Sequence, residues 1–234
     1  CTGCLPLCRA GRKILMKKLS KANLLIWICH IVALIVLLAI YPKLPRIIPM
    51  HWGIDGNIDG YGGKGSLFVL YAVGVGGTFL FDFARKIDPK SKNYDKFNRP
   101  YEIFKLVFAI FMDGLVLVTA RSRFNKNLRV SQIVVVAVGV MIAVIGNYMP
   151  KFKYNYTMGI KTPWTLASET VWEKTHRKAG ALWVCGGIGI ALSSFLKPKY
   201  SFALVMIITV VISAIPMVYS YFEFKREQEN KDGE

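Results

Sequence analysis

Acidic residues are scarce in this 234-residue chain, where 14 Asp and Glu stand against 31 Lys and Arg for a formal net charge of +17. Histidine is scarcer, with three copies, and no HExxH helix, GxSxG elbow or other catalytic constellation is present, so an enzyme is not expected. Cysteine builds no disulfide framework. Cys29 and Cys185 lie in apolar runs, where a free thiol behaves as a small hydrophobe, and Cys1, Cys4 and Cys8 crowd the N-terminus. Met16 followed by Lys17, Lys18 and Lys21 reads as a natural start ahead of a membrane helix, so 1–15 is expected to be a non-native or disordered leader. Despite the charge, no basic stripe with interleaved aromatics marks a nucleic-acid surface. Metal and cofactor motifs are missing too. Asp55, Asn57, Asp59 and Gly60 imitate the opening of a calcium loop, but its twelfth position is Ser66 where a bidentate Glu is required. His51 lacks the Cys or second His that a zinc site needs.

What the chain does have is hydrophobic residues, at 53%. That content and a +17 charge need separate places in space, and a bilayer supplies them: apolar runs fill the hydrocarbon while Lys and Arg collect in the loops. Six runs stand out, at 23–41, 67–83, 103–120, 130–148, 179–196 and 201–222. The expected fold is an all-α polytopic membrane bundle of about six transmembrane helices. Its segments are 16–66 (first span and an extracellular loop), 67–148 (spans two to four), 149–178 (a cytoplasmic loop), 179–222 (spans five and six) and 223–234 (a charged tail). The N-terminal segment, the linkers 84–102 and 149–178 and the tail hold 21 Lys and Arg, against 9 in the remaining linkers, which predicts cytoplasmic N and C termini. Linker 121–129, with Arg121, Arg123, Lys126 and Arg129, opposes that trend. Gly74, Gly76 and Gly77 in the second span and Gly186, Gly187 and Gly189 in the fifth read as close-packing grooves, and Pro216 as a kink in the sixth.

Two loops carry more than a connector needs. In 42–64, three prolines impose extended backbone and several glycines permit tight turns. They concentrate His51, Trp52, Gly53, Asp55, Asp59 and Lys64 on a short outer segment suited to recognition. In 149–178, Ser168 suits an N-cap with Glu169 in the first turn, and Trp172 and His176 at i,i+4 share a face of a short helix expected to lie along the interface. Lys174, Arg177 and Lys178 on that helix suit anionic headgroups.

The series Asn155, Gly159, Ile160, Lys161, Thr162, Pro163, Trp164, Thr165, Leu166, Trp172, Thr175 and His176 resembles the signature of the SdpI-type immunity proteins, with Lys161 where Arg is more usual. Pro45, Pro49, Met50, His51, Gly53, Gly56, Asp59, Gly60 and Lys64 are similar to the short uncharacterised domain that often precedes it. The resemblance implies a bacterial multi-pass protein of the cell membrane, in a Gram-positive organism, that gives immunity to a secreted peptide toxin. It also implies a second role in signal transduction, holding a cytoplasmic transcriptional repressor at the membrane.

Inside the spans, His30 and Asp113 are ionisable groups that cost free energy in lipid. They differ in level by about 6 Å, so a contact is within reach. It would serve helix adhesion, ligand sensing or proton movement, and a small transporter or exporter using this pair is the alternative function. Lys105 and Asp82 are expected to snorkel toward the span ends.

Overall fold

The computed structural model describes residues 21–125 and 128–233; the expected leader at 1–15 and Lys126 lie outside them. Helix α1 (Lys21–Ile40) runs to one end of the bundle, where a two-stranded antiparallel hairpin forms from β1 (Ile47–Trp52) and β2 (Ile58–Gly63). Helices α2 (Ser66–Ile87), α3 (Asn98–Ser122) and α4 (Val130–Tyr148) then alternate in direction. The short α5 (Pro163–Ala167) precedes α6 (Glu169–Ser193) and α7 (Pro198–Asp232).

The burial pattern is that of helices in lipid. In α1, only Ile26, His30, Ala33 and Leu37 are buried, a stripe at helical spacing, while Leu24, Ile28, Ile31, Ile35 and Leu38 face outward. In α7, Phe202, Met206, Val210, Met217 and Phe222 are likewise exposed. Such a shell would drive aggregation in water and is at home in hydrocarbon. Helix α3 packs against both α1 and α2, α6 against both α4 and α7, and the α3–α4 contact joins the two groups.

Among the described residues, five segments are long and apolar enough to cross a membrane: Lys21–Lys43, Ser66–Ile87, Ser91–Ser122, Val130–Lys151 and Pro198–Asp232. The fifth expected span, 179–196, is not among them. Its helix, α6, opens with Glu169, Glu173, Lys174, Arg177 and Lys178, and its apolar stretch from 179 to 193 covers only about 22 Å. This stretch runs antiparallel between two qualifying helices. A Cβ on Gly187 would meet Ala143 N at 2.4 Å, one on Gly146 would meet Val184 N at 2.7 Å, and one on Gly186 would meet Ile212 Cγ2 at 2.6 Å. Helix α6 therefore shares the levels of α4 and α7, and protein rather than lipid covers much of it. Gly76, by contrast, has nothing within 4 Å of an added Cβ.

Two further differences have simple causes. The loop 42–64 is a hairpin because Gly60 and Gly62 let β2 approach β1 closely: a Cβ on Gly60 would meet His51 Cβ at 2.8 Å and one on Gly62 would meet Met50 Cγ at 2.9 Å. The charged tail continues α7 as far as Asp232, past Pro216, with Lys225–Glu229 and Lys231–Glu227 pairs one turn apart.

Candidate functional site

At the hairpin end, the β1–β2 turn is fixed by its own polar groups. Gly53 N–H donates to Asn57 O at 2.8 Å, Gly56 N–H to Gly53 O at 2.9 Å, and Gly56 adopts a φ of 79°. The Asn57 backbone and side-chain amides donate to Asp55, which holds that exposed carboxyl below its ordinary value. His51 Nδ1 lies 2.5 Å from Asp59 Oδ1, a pair across the hairpin that remains largely exposed. Lys64 sits at the hairpin base, where its ammonium donates to Tyr41 O and Leu44 O and lies 4.4 Å from the Tyr41 ring centre.

Beside this turn is a cavity of about 870 Å³. Its walls come from the hairpin tip (Met50–Asn57), the start of α4 and the α6–α7 turn with the start of α7. Trp52, Ile54, Val134, Phe195, Leu196 and Phe202 make it mostly apolar; Arg129, Lys197 and Asp55 add charge of both signs. Ser131 Oγ, also on its wall, is buried without a hydrogen-bond partner.

The opposite end is built on the 152–162 loop. Asp88 accepts from Tyr94 OH (2.8 Å), Tyr156 N–H (2.9 Å), Thr157 OH (2.9 Å) and Lys90 N–H (2.7 Å). Desolvation pushes its carboxyl up, but these four donors together outweigh that and hold it below the usual carboxylate range. Asn155, fully buried, accepts from the amides of Thr157 and Met158. Trp172 and His176 do share a face, stacked with ring centres 4.0 Å apart, and both are buried. Trp172 Nε1–H donates to Phe152 O, His176 Nε2 accepts from Ile160 N–H at 3.0 Å, and Nδ1–H donates to Trp172 O at 2.8 Å. Gly159 takes a φ of 113° and lies so close that a Cβ would meet His176 Nε2 at 2.3 Å. Thr162 caps α5, with Pro163 in its first turn, and its hydroxyl meets Ser220 on α7; Trp164 packs edge-on against Tyr221. Lys161 donates to the Tyr156 and Thr157 carbonyls.

This geometry corrects the expected interfacial helix. Residues 169–178 are the first turns of the continuous α6, and Trp172 and His176 are its anchor to the loop. Ser168 is the N-cap, accepting from Val171 N–H. Lys174 pairs with Glu223 at 2.8 Å and Lys178 lies over the Tyr219 ring, so of the three cations expected at headgroups two have partners on α7.

Between the ends, His30 and Asp113 do meet, at 3.0 Å. Lys105 does not snorkel. It is fully buried and donates to Asp82 at 2.6 Å and Asn23 at 2.8 Å, because three packed helices offer closer oxygens than the interface. Sequence reasoning passed over Asp88, Thr78, Ser131 and Ser220; an acidic residue directly before a proline at a helix end, as in Asp88-Pro89, was the one available signal.

Helices with an apolar outer face and polar contacts kept to their ends and mutual seams define a multi-pass membrane protein. Residues 151–220 match the SdpI/YfhL protein family, and residues 28–75 match a domain of unknown function, DUF1648. The chain is 24% identical over 206 residues to the immunity protein SdpI of Bacillus subtilis (strain 168), covering 88% of this chain and 97% of that protein. By these matches the chain is similar to the SdpI-type proteins. No solved structure matches it.

Proposed function

We propose that this chain is a non-enzymatic membrane immunity protein that protects its cell against a secreted peptide toxin, with the outer hairpin and its cavity as the receiving surface. The observation that carries the reading is the cavity itself: about 870 Å³, walled by Trp52 and other apolar groups, at the end the charge distribution assigns to the outside. An apolar peptide segment suits such walls, and Asp55, Arg129 and Lys197 supply groups to orient it. Similarity to a named immunity protein over most of both chains supports the same reading.

In this account the inner loop is the output. Occupation of the cavity shifts the packing of α6 and α7, which join the cavity wall to Trp164, Trp172 and His176, and a cytoplasmic repressor responds at that end. A peptide drives this shift only if it binds the two packings with different affinity. Expression in peptide-sensitive cells is expected to raise survival; unchanged killing despite normal membrane insertion would contradict the proposal.

A further inference from the structure

The cations at the two ends of the bundle differ in their partners. At the end opposite the hairpin, Arg85 pairs with Asp95, Lys153 with Glu173, Lys174 with Glu223 and Lys231 with Glu227. The linkers at the hairpin end, 42–66, 121–129 and 197–200, hold nine Lys and Arg against two acidic residues, Asp55 and Asp59. Both carboxylates are already engaged, Asp55 by the Asn57 amides and Asp59 by His51. Among the described residues His51–Asp59 is the one ion pair at this end, and Arg121, Arg123, Arg129, Lys197 and Lys199 stand exposed outside it. Arg121, in the last turn of α3, complements that helix's dipole; Arg123 and Arg129 lie beyond it.

Arg121 also lines a second cleft, of about 490 Å³. Its other walls, among them Val36 and Ile40 of α1, Leu117 of α3, and Phe124 and Leu128 beyond it, are apolar. Val36 and Ile40 are one turn apart, as are Leu117 and Arg121, so the cleft follows the α1–α3 seam and rises about 5 Å from the aliphatic level to the guanidinium. Val36 and Phe124 are 40% and 44% exposed, so the cleft opens on the outer face of the bundle, where lipid surrounds it.

The geometry points to a site for an anionic phospholipid in the leaflet at the hairpin end, with an acyl chain in the α1–α3 cleft and its phosphate at Arg121. The occupant has to reach from hydrocarbon to headgroup level, which a phospholipid does. A guanidinium offers paired donors to phosphate oxygens. A zwitterionic lipid brings a phosphate as well, but its own ammonium group is repelled by the unpaired cations of 121–129, so this edge selects a headgroup of net negative charge. Leu128 lines both the cleft and the larger cavity, so the lipid borders that cavity without filling it. The site stands whatever the cavity receives.

The test reconstitutes full-length protein in phosphatidylcholine nanodiscs. These contain a trace of phosphatidylglycerol or phosphatidylcholine bearing a photoactivatable group on one acyl chain, and adducts are mapped by mass spectrometry. The phosphatidylglycerol probe is expected to label 36–40 and 117–124 about fivefold more than the phosphatidylcholine probe. Arg121→Gln is expected to remove most of that preference and Arg121→Lys to retain part of it, while Leu117→Trp, which fills the cleft, lowers labelling there by both probes. Raising salt from about 0.05 M to about 0.5 M is expected to shrink the wild-type preference. Equal labelling by the two probes, adducts spread evenly around the bundle, or a preference that survives Arg121→Gln would overturn the inference. The wild-type probe ratio and its salt dependence decide it even if a variant folds poorly.

Discussion

His176 shows how one residue can hold a loop through its protonation state. Burial depresses its imidazole to about 4, against the opposing pull of the Trp172 carbonyl, so at neutral pH Nε2 is free to accept from Ile160 N–H. The folded value lies below the unfolded one, near 6.5, so the contribution is complete above about pH 6.5 and is lost as pH falls through about 4. It amounts to roughly 3 kcal/mol at most. Acid unfolding of wild type is expected to show this loss, while His176→Gln, less stable at pH 7, loses correspondingly less over the same interval. At this scale the sequence was partly legible: the i,i+4 spacing gave the Trp172–His176 pair. It could not give the pair's partners, because Gly159 and Ile160 reach His176 across a loop whose course depends on Asp88, more than 60 residues away in sequence.

At the scale of elements, glycine sets how closely α4 and α6 approach. Gly187→Val would push a side chain into the α4 backbone near Ala143, whereas Gly76→Ala enters open space. The first is expected to cost about 2–4 kcal/mol and the second less than about 0.5 kcal/mol, read as thermal stability in detergent and as membrane abundance. Hydropathy gave five helices cleanly because lipid-facing residues dominate their surfaces. It was weakest for α6, where neighbouring helices take the place of lipid and the apolar run is short. The hairpin was hidden for another reason: its strands are full of proline and glycine, which argue against strands in general and here allow close pairing.

For the whole molecule, the alternation of helices puts the hairpin turn, the start of α4 and the α6–α7 turn at one end, and Asp88, the 152–162 loop and the α6 start at the other. Single cysteines introduced at Asn57 and Glu173 in an otherwise cysteine-free chain are therefore expected to react with a membrane-impermeant thiol reagent from opposite sides. Labelling of both from the same side would break the topology. The central claim is that the outer cavity is where protection begins, and the most direct measurement is survival of peptide-exposed cells carrying wild type or Val134→Trp at equal membrane abundance. Filling the cavity is expected to abolish most of the protection while leaving thermal stability within about 1 kcal/mol. Full protection by the filled variant would contradict the account.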